Sequence, residues 1–146
     1  MSNRRLFLAA ALCALALTGL SAPASAQTLD LQKPNKVVFQ VSDADPAKWN
    51  LALNNARNVQ EDLGRDKTAI EIVAYGPGLG MLKLESAAGA RVAEAMAAGV
   101  SVVACENTMR TQKVARADML PNIGYVSAGV VQLMQRQKEG FAYVRP

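Results

Sequence analysis

A glycine at position 99 releases the run Val100-Ser101-Val102-Val103-Ala104-Cys105, which halts at the polar triplet Glu106-Asn107-Thr108. β-Branched residues suit a pleated strand buried on both faces. Asn and Thr side chains compete with the backbone and favour caps and turns. The segment therefore reads as a strand that delivers one thiol to its carboxyl end, the side of an open parallel sheet where ligands and chemistry collect. A thiol acts through its thiolate, so a helix N-terminus following Cys105, or a cation such as Arg110, would favour the reactive form, whereas Glu106 would oppose it.

The rest of the composition narrows that chemistry. The 146 residues contain no histidine, which removes a Cys-His dyad, a serine triad and the imidazole zinc sites. Of the two cysteines, Cys13 lies in the apolar leader, so a Cys-x-x-Cys redox pair and an internal disulfide framework are both excluded once the leader is removed. No metal or cofactor is expected.

The leader itself has three parts. Arg4-Arg5 precede a small and apolar stretch from Leu6 to Leu20, and Ala24-Ser25-Ala26 stands before Gln27. This is the pattern of a cleaved secretory signal over residues 1–26, with an apolar run too short for a comfortable membrane span. The paired arginines in Asn3-Arg4-Arg5-Leu6-Phe7-Leu8 also look like a twin-arginine signal, so the general secretory and twin-arginine routes both stand. Either places a protein of 120 residues in the periplasm, with no membrane attachment after cleavage. Without Arg4 and Arg5 the net charge falls from +4 to +2, scattered and without a basic run, which gives no footprint for nucleic acid.

The elements that must position the thiol alternate regularly. Residues 27–35 form a polar lead-in with Pro34, and Lys36 to Val41 reads as the first strand of a single domain over 36–146. Asp45 as N-cap, Pro46 in the first turn and Gly64 as terminator bracket a helix with Trp49, Ala52, Leu53, Ala56, Val59 and Leu63 on one face. Its Leu53-Asn54-Asn55-Ala56-Arg57-Asn58 segment carries three weak helix formers, which fit either an exposed polar face or a binding role for Asn55. Ala69 to Ala74 is a second strand, and it runs into Tyr75-Gly76-Pro77-Gly78-Leu79-Gly80. A phosphate loop is a poor reading there because Pro77 lacks an amide donor. A glycine turn passing close to the thiol loop is the better one, with Gly76 and Gly78 as its contacts.

Leu84 to Ala98 is expected as a helix with Leu84, Ala88, Val92, Ala95 and Met96 facing inward, and 109–117 as a short helical turn. Ile123 to Val126 is a fourth strand. Val130, Val131 and Met134 mark a last helix ending at Gly140, and Phe141 to Val144 a fifth strand. Strands alternating with helices predict a three-layer α/β/α sandwich around a mainly parallel sheet of about five strands, with right-handed crossovers.

Four stretches in order, Leu53-Asn54-Asn55-Ala56-Arg57-Asn58, Val73-Ala74-Tyr75-Gly76-Pro77-Gly78, Gly99 to Thr108, and Ala128-Gly129-Val130-Val131 with the closing Gln137 to Pro146, resemble the DsrE/DsrF-like family over Lys36 to Pro146. The resemblance implies a small α/β/α fold that assembles into homo-oligomers. For the sulfur-relay members it implies a cysteine that carries persulfide sulfur, and Cys105 matches that position. Three functions follow as expectations. In the first, Cys105 takes sulfane sulfur from a donor protein or small sulfur compound and passes it to an acceptor. In the second, the domain is a non-catalytic oligomeric module binding a small ligand through Asn55, Gly76, Gly78, Glu106, Asn107, Thr108 and Arg110. In the third, Cys105 is a small buried hydrophobe.

Overall fold

The computed structural model describes residues 29–146, so the expected signal over 1–26 lies outside the described residues. Five strands, β1 (Asn35–Val41), β2 (Thr68–Ala74), β3 (Ser101–Cys105), β4 (Gly124–Val126) and β5 (Ala142–Val144), form one sheet in the order β4-β3-β2-β1-β5. Every neighbouring pair is parallel. The four main helices are α1 (Pro46–Leu63), α2 (Gly89–Ala97), α3 (Glu106–Gln112) and α4 (Gly129–Lys138).

This order explains the layers. From β1 to β4 each new strand joins the same growing edge, and then β5 returns to the far side of β1. With crossovers of one hand, a reversal of direction moves the connecting helix to the opposite face. Accordingly α1, α2 and α3 contribute Trp49, Leu53, Val92, Met96 and Met109 to one cluster with Phe39, Ile70 and Ile72 of the sheet. On the other face α4 contributes Leu133 to a separate cluster with Val38, Val73, Val103 and Phe141. β2 is buried along its whole length, as the centre of a sheet covered on both faces must be.

The local signals of α1 act as expected. The Asp45 carboxylate accepts the Ala47 N–H at 2.8 Å, Pro46 occupies the first turn, and the helix ends at Gly64. Leu63, however, is 47% exposed, at the edge of an open groove that it lines with Val37, Phe39 and Val144. The expected helix from Leu84 is shorter than its pattern. Lys83 bridges to Met119, the Leu84 N–H bonds to the Asp118 carbonyl, and the Ser86 hydroxyl accepts the Ala88 N–H, so 83–88 is held as bridge and turn. Leu84 consequently points to solvent while Ala88, Val92 and Met96 line the core. α3 also departs from expectation, starting at Glu106 directly after the strand rather than at 109, with a separate 3-10 turn at Arg116–Asp118. In α4 the residues facing inward are Gly129 and Leu133, whereas Val130, Val131 and Met134 are 52%, 61% and 53% exposed.

Gly76 to Gly80 is not an open loop but the start of a 3-10 helix, Gly76–Leu82. Gly78 is needed there for close approach to β1, since a Cβ would lie 2.3 Å from the Val41 carbonyl oxygen.

Candidate functional site

Period-two alternation along β3 places Val102 and Ala104 in the larger core and Val103 in the cluster beneath α4, so Cys105 shares the α4 side of the sheet. It is the last residue of its strand and the N-cap of α3, and it pairs with Val126 at the end of β4. Two helix beginnings therefore converge on its sulfur. The Gly129 N–H, at the first residue of α4, donates to Sγ at 3.2 Å. From α3, the Asn107 and Thr108 amides and the Thr108 hydroxyl also act on the thiol. The Thr108 hydroxyl is oriented for that donation, because its oxygen accepts the Gly76 N–H at 2.9 Å.

Cys105 is only 4% exposed, and burial by itself pushes its thiol pKa up. The hydrogen bonds from the Thr108 side chain and from the Thr108, Gly129 and Asn107 amides outweigh that effect, so the pKa is lowered below a cysteine's ordinary value. N–H and O–H groups aimed at sulfur favour the anion, as at other helix N-termini. The surroundings suit a thiolate.

Gly129 is the residue that makes this possible. A Cβ at position 129 would come within 2.9–3.0 Å of Cβ, Cγ and Cδ1 of Tyr75, the residue that follows β2. Only glycine lets the start of α4 settle between Tyr75 and the sulfur. Neither Gly129 nor Tyr75 stands out as a site residue in the sequence. The signal that could have found Gly129 is its place at a helix start directly after the fourth strand.

The expected site residues divide into three groups. Asn107, Thr108 and Gly76 are gathered around Cys105, with the Gly76 carbonyl also accepting from Gln112 Nε2 at 3.0 Å. Glu106 and Arg110 lie at the rim and act on other groups. Glu106 accepts from Arg116 Nη2 at 2.5 Å, Arg116 in turn stacks 4.2 Å from the centre of the Tyr125 ring, and Arg110 donates to the Asn107 side chain. The thiol is thus tuned by hydrogen-bond donors, and Arg110 is not among the groups that lower its pKa. Gly78 and Asn55 are elsewhere. Gly78 abuts Val41, while Asn55 lines a groove between α1 and β5 with Asn58, Phe39 and Val144. Among the described residues no group of three or more His, Cys, Asp or Glu side chains is placed to hold a metal ion.

Against solved structures, the chain superposes on a protein of unknown function, MTH1491 of Methanobacterium thermoautotrophicum, with a TM-score of 0.73 and 37% identity, over 77% of this chain and 99% of that one. The chain belongs to the family of MTH1491. A conserved protein of unknown function from Bacteroides thetaiotaomicron, BT1422, shares the fold at a TM-score of 0.63 and 15% identity, over 77% of this chain and 95% of that one. No family model matches the sequence, and no curated protein matches it. Both likenesses extend across most of the described domain, and the one to MTH1491 is close enough to carry family membership as well as the α/β fold.

Proposed function

We propose that this protein is an exported, DsrE/DsrF-like sulfur carrier in which Cys105 holds sulfane sulfur as a persulfide. The observation that carries this reading is the Gly129 N–H on the Cys105 sulfur at 3.2 Å where β3 meets the starts of α3 and α4, with Thr108 and Asn107 beside it, surroundings that lower the thiol pKa against the effect of burial. The step balances without an oxidant. The Cys105 thiolate attacks the outer sulfur of a donor persulfide, R–S–SH, the donor S–S bond breaks, and Cys105–S–SH and R–S⁻ result. Attack on the outer sulfur of Cys105–S–SH by an acceptor thiolate reverses the exchange and regenerates the Cys105 thiolate. The same amides that favour the thiolate favour it again as leaving group.

The reading includes self-association, supported by the exposed Val130, Val131 and Met134 along α4. A monomer mass by sedimentation at micromolar concentration would count against that part. Location in the periplasm rests on the leader sequence. A second reading is favoured by one observation, the 4% exposure of Cys105, which also suits an inert buried thiol.

Incubation of wild type and Cys105→Ser with a polysulfide, followed by intact-mass measurement, separates the two. Wild type is expected to gain sulfur adducts and the variant none. Equal loading of both, or a wild type that takes no label from a thiol reagent until it unfolds, sinks the carrier reading.

A further inference from the structure

The asparagines of α1 have a second destination, remote from the thiol. Asn50 and Asn54, one turn apart, accept from the two terminal nitrogens of Arg91 on α2, at 2.5 and 2.7 Å. Arg91 is half-buried and lines a cleft of about 230 Å³ between α1 and α2, whose apolar floor includes Leu53, Ala56 and Ala95. Arg57 and Arg65 lie on the same cleft, with Glu94 its one acidic lining residue.

The charge bookkeeping is unusual. A half-buried guanidinium is ordinarily matched by a carboxylate, yet Arg91 makes no ion pair among the described residues, and neither does the exposed Arg65. Arg57 has only Glu61, at 3.5 Å with both side chains 63% exposed, an arrangement that contributes little. The two amides fix the plane of Arg91 without neutralising it. They occupy two of its five N–H groups and leave the others to donate. Side-chain amides in place of aspartates keep a positive charge available at a preset angle, which suits bidentate capture of an acid group.

We propose that the cleft between α1 and α2 binds a small oxyanion, with Arg91 as its primary contact, Arg57 and Arg65 at the rim, and Asn50 and Asn54 as positioning residues. The site is independent of Cys105, so Cys105→Ser is expected to bind as wild type does. The test follows the Arg Nε–H resonances of the purified protein during titration with inorganic phosphate, acetate and butanoate, with chloride at matched ionic strength as control. Saturable shifts of Arg91 with the oxyanions and not with chloride are expected. Tighter binding of butanoate than acetate assigns the source to organic acids whose chain lies on the Leu53 and Ala56 floor. Preference for phosphate assigns it to inorganic anions.

Arg91→Gln should weaken binding about tenfold or more. Asn54→Asp supplies the missing carboxylate, and should weaken binding similarly while the melting temperature holds or rises. This opposition separates a ligand site from a structural contact, and it decides the matter even if Arg91→Gln folds poorly. Responses that fail to saturate, that chloride reproduces, or that survive Asn54→Asp overturn the proposal.

Discussion

The two faces of the sheet are built to different standards. Under α1, α2 and α3, twenty-two buried residues form one cluster from Val37 to Ile123. Under α4 the corresponding cluster has six, and the centre of that face is occupied by a charge. Glu71, in the middle of β2 and wholly buried, accepts from Gln132 Nε2 at 2.6 Å and from Arg136, which also reaches Glu139 at 2.6 Å. A fully apolar face needs only shape, whereas a face closed by one short helix with a buried ion pair fixes where that helix sits. Glu71 is thus placed to pin the register of α4, the helix whose first residue brings its N–H to Cys105.

The largest expected effect lies in the thick core. Phe39→Ala should lower stability by about 3–5 kcal/mol, since a large ring 1% exposed is lost from the larger cluster, while Leu133→Ala beneath α4 should cost about 2 kcal/mol because the thinner layer relaxes. Urea midpoints at constant m-value measure both. Equal losses would erase the distinction between the faces.

Breaking the pin comes next. Arg136→Met leaves the Glu71 carboxylate with only Gln132 and should cost about 3 kcal/mol, whereas the double change Glu71→Leu with Arg136→Met should return stability close to wild type. In the double variant the thiol is the informative readout. If α4 is placed by the ion pair, its loss shifts the Gly129 N–H and raises the Cys105 pKa even though stability has recovered. An unchanged thiol titration in the recovered variant would mean that packing alone places α4.

The smallest change acts on the thiol directly. Thr108→Val removes one donor and should cost about 1 kcal/mol, with the thiol pKa moving toward its ordinary value. The sign of the pH effect follows from the lowered pKa. The folded state holds the thiolate more readily than the unfolded chain, so the stabilisation is fully present above the ordinary cysteine pKa and is lost as pH falls through the folded value. Stability should therefore rise with pH across that interval in wild type, less steeply in Thr108→Val, and not at all from this group in Cys105→Ser. Thiol labelling rates against pH report the same order.

Much of this was legible from local signals. Asp45, Pro46 and Gly64 marked α1, and the valine run to Cys105 marked β3, because caps and β-branched runs act through neighbours in the chain. What misled was periodicity without knowledge of cover. Leu63 and Leu84 read as inward-facing, yet they are 47% and 57% exposed, and the apolar residues that mark α4, Val130, Val131 and Met134, lie on its exposed side. Glu71 carries no local signal within Thr68–Ala74 because its partner lies 65 residues away. Asn55 stands out by its weak helix propensity, while the asparagines that hold a charged partner are Asn50 and Asn54.

The alternation of strands and helices, the solitary thiol of the domain and its place at a strand end follow from residue type and short-range order along the chain. The thiol's surroundings, by contrast, arise from how the elements pack. The return of β5 past β1 put α4 on the face that Cys105 shares, and the absence of a side chain at Gly129 let that helix start reach the sulfur past Tyr75. Groups from 107, 108 and 129 meet at the thiol through strand order and crossover geometry, with the Gly76 N–H bonded to Thr108 beside them, and no spacing along the chain encodes that meeting.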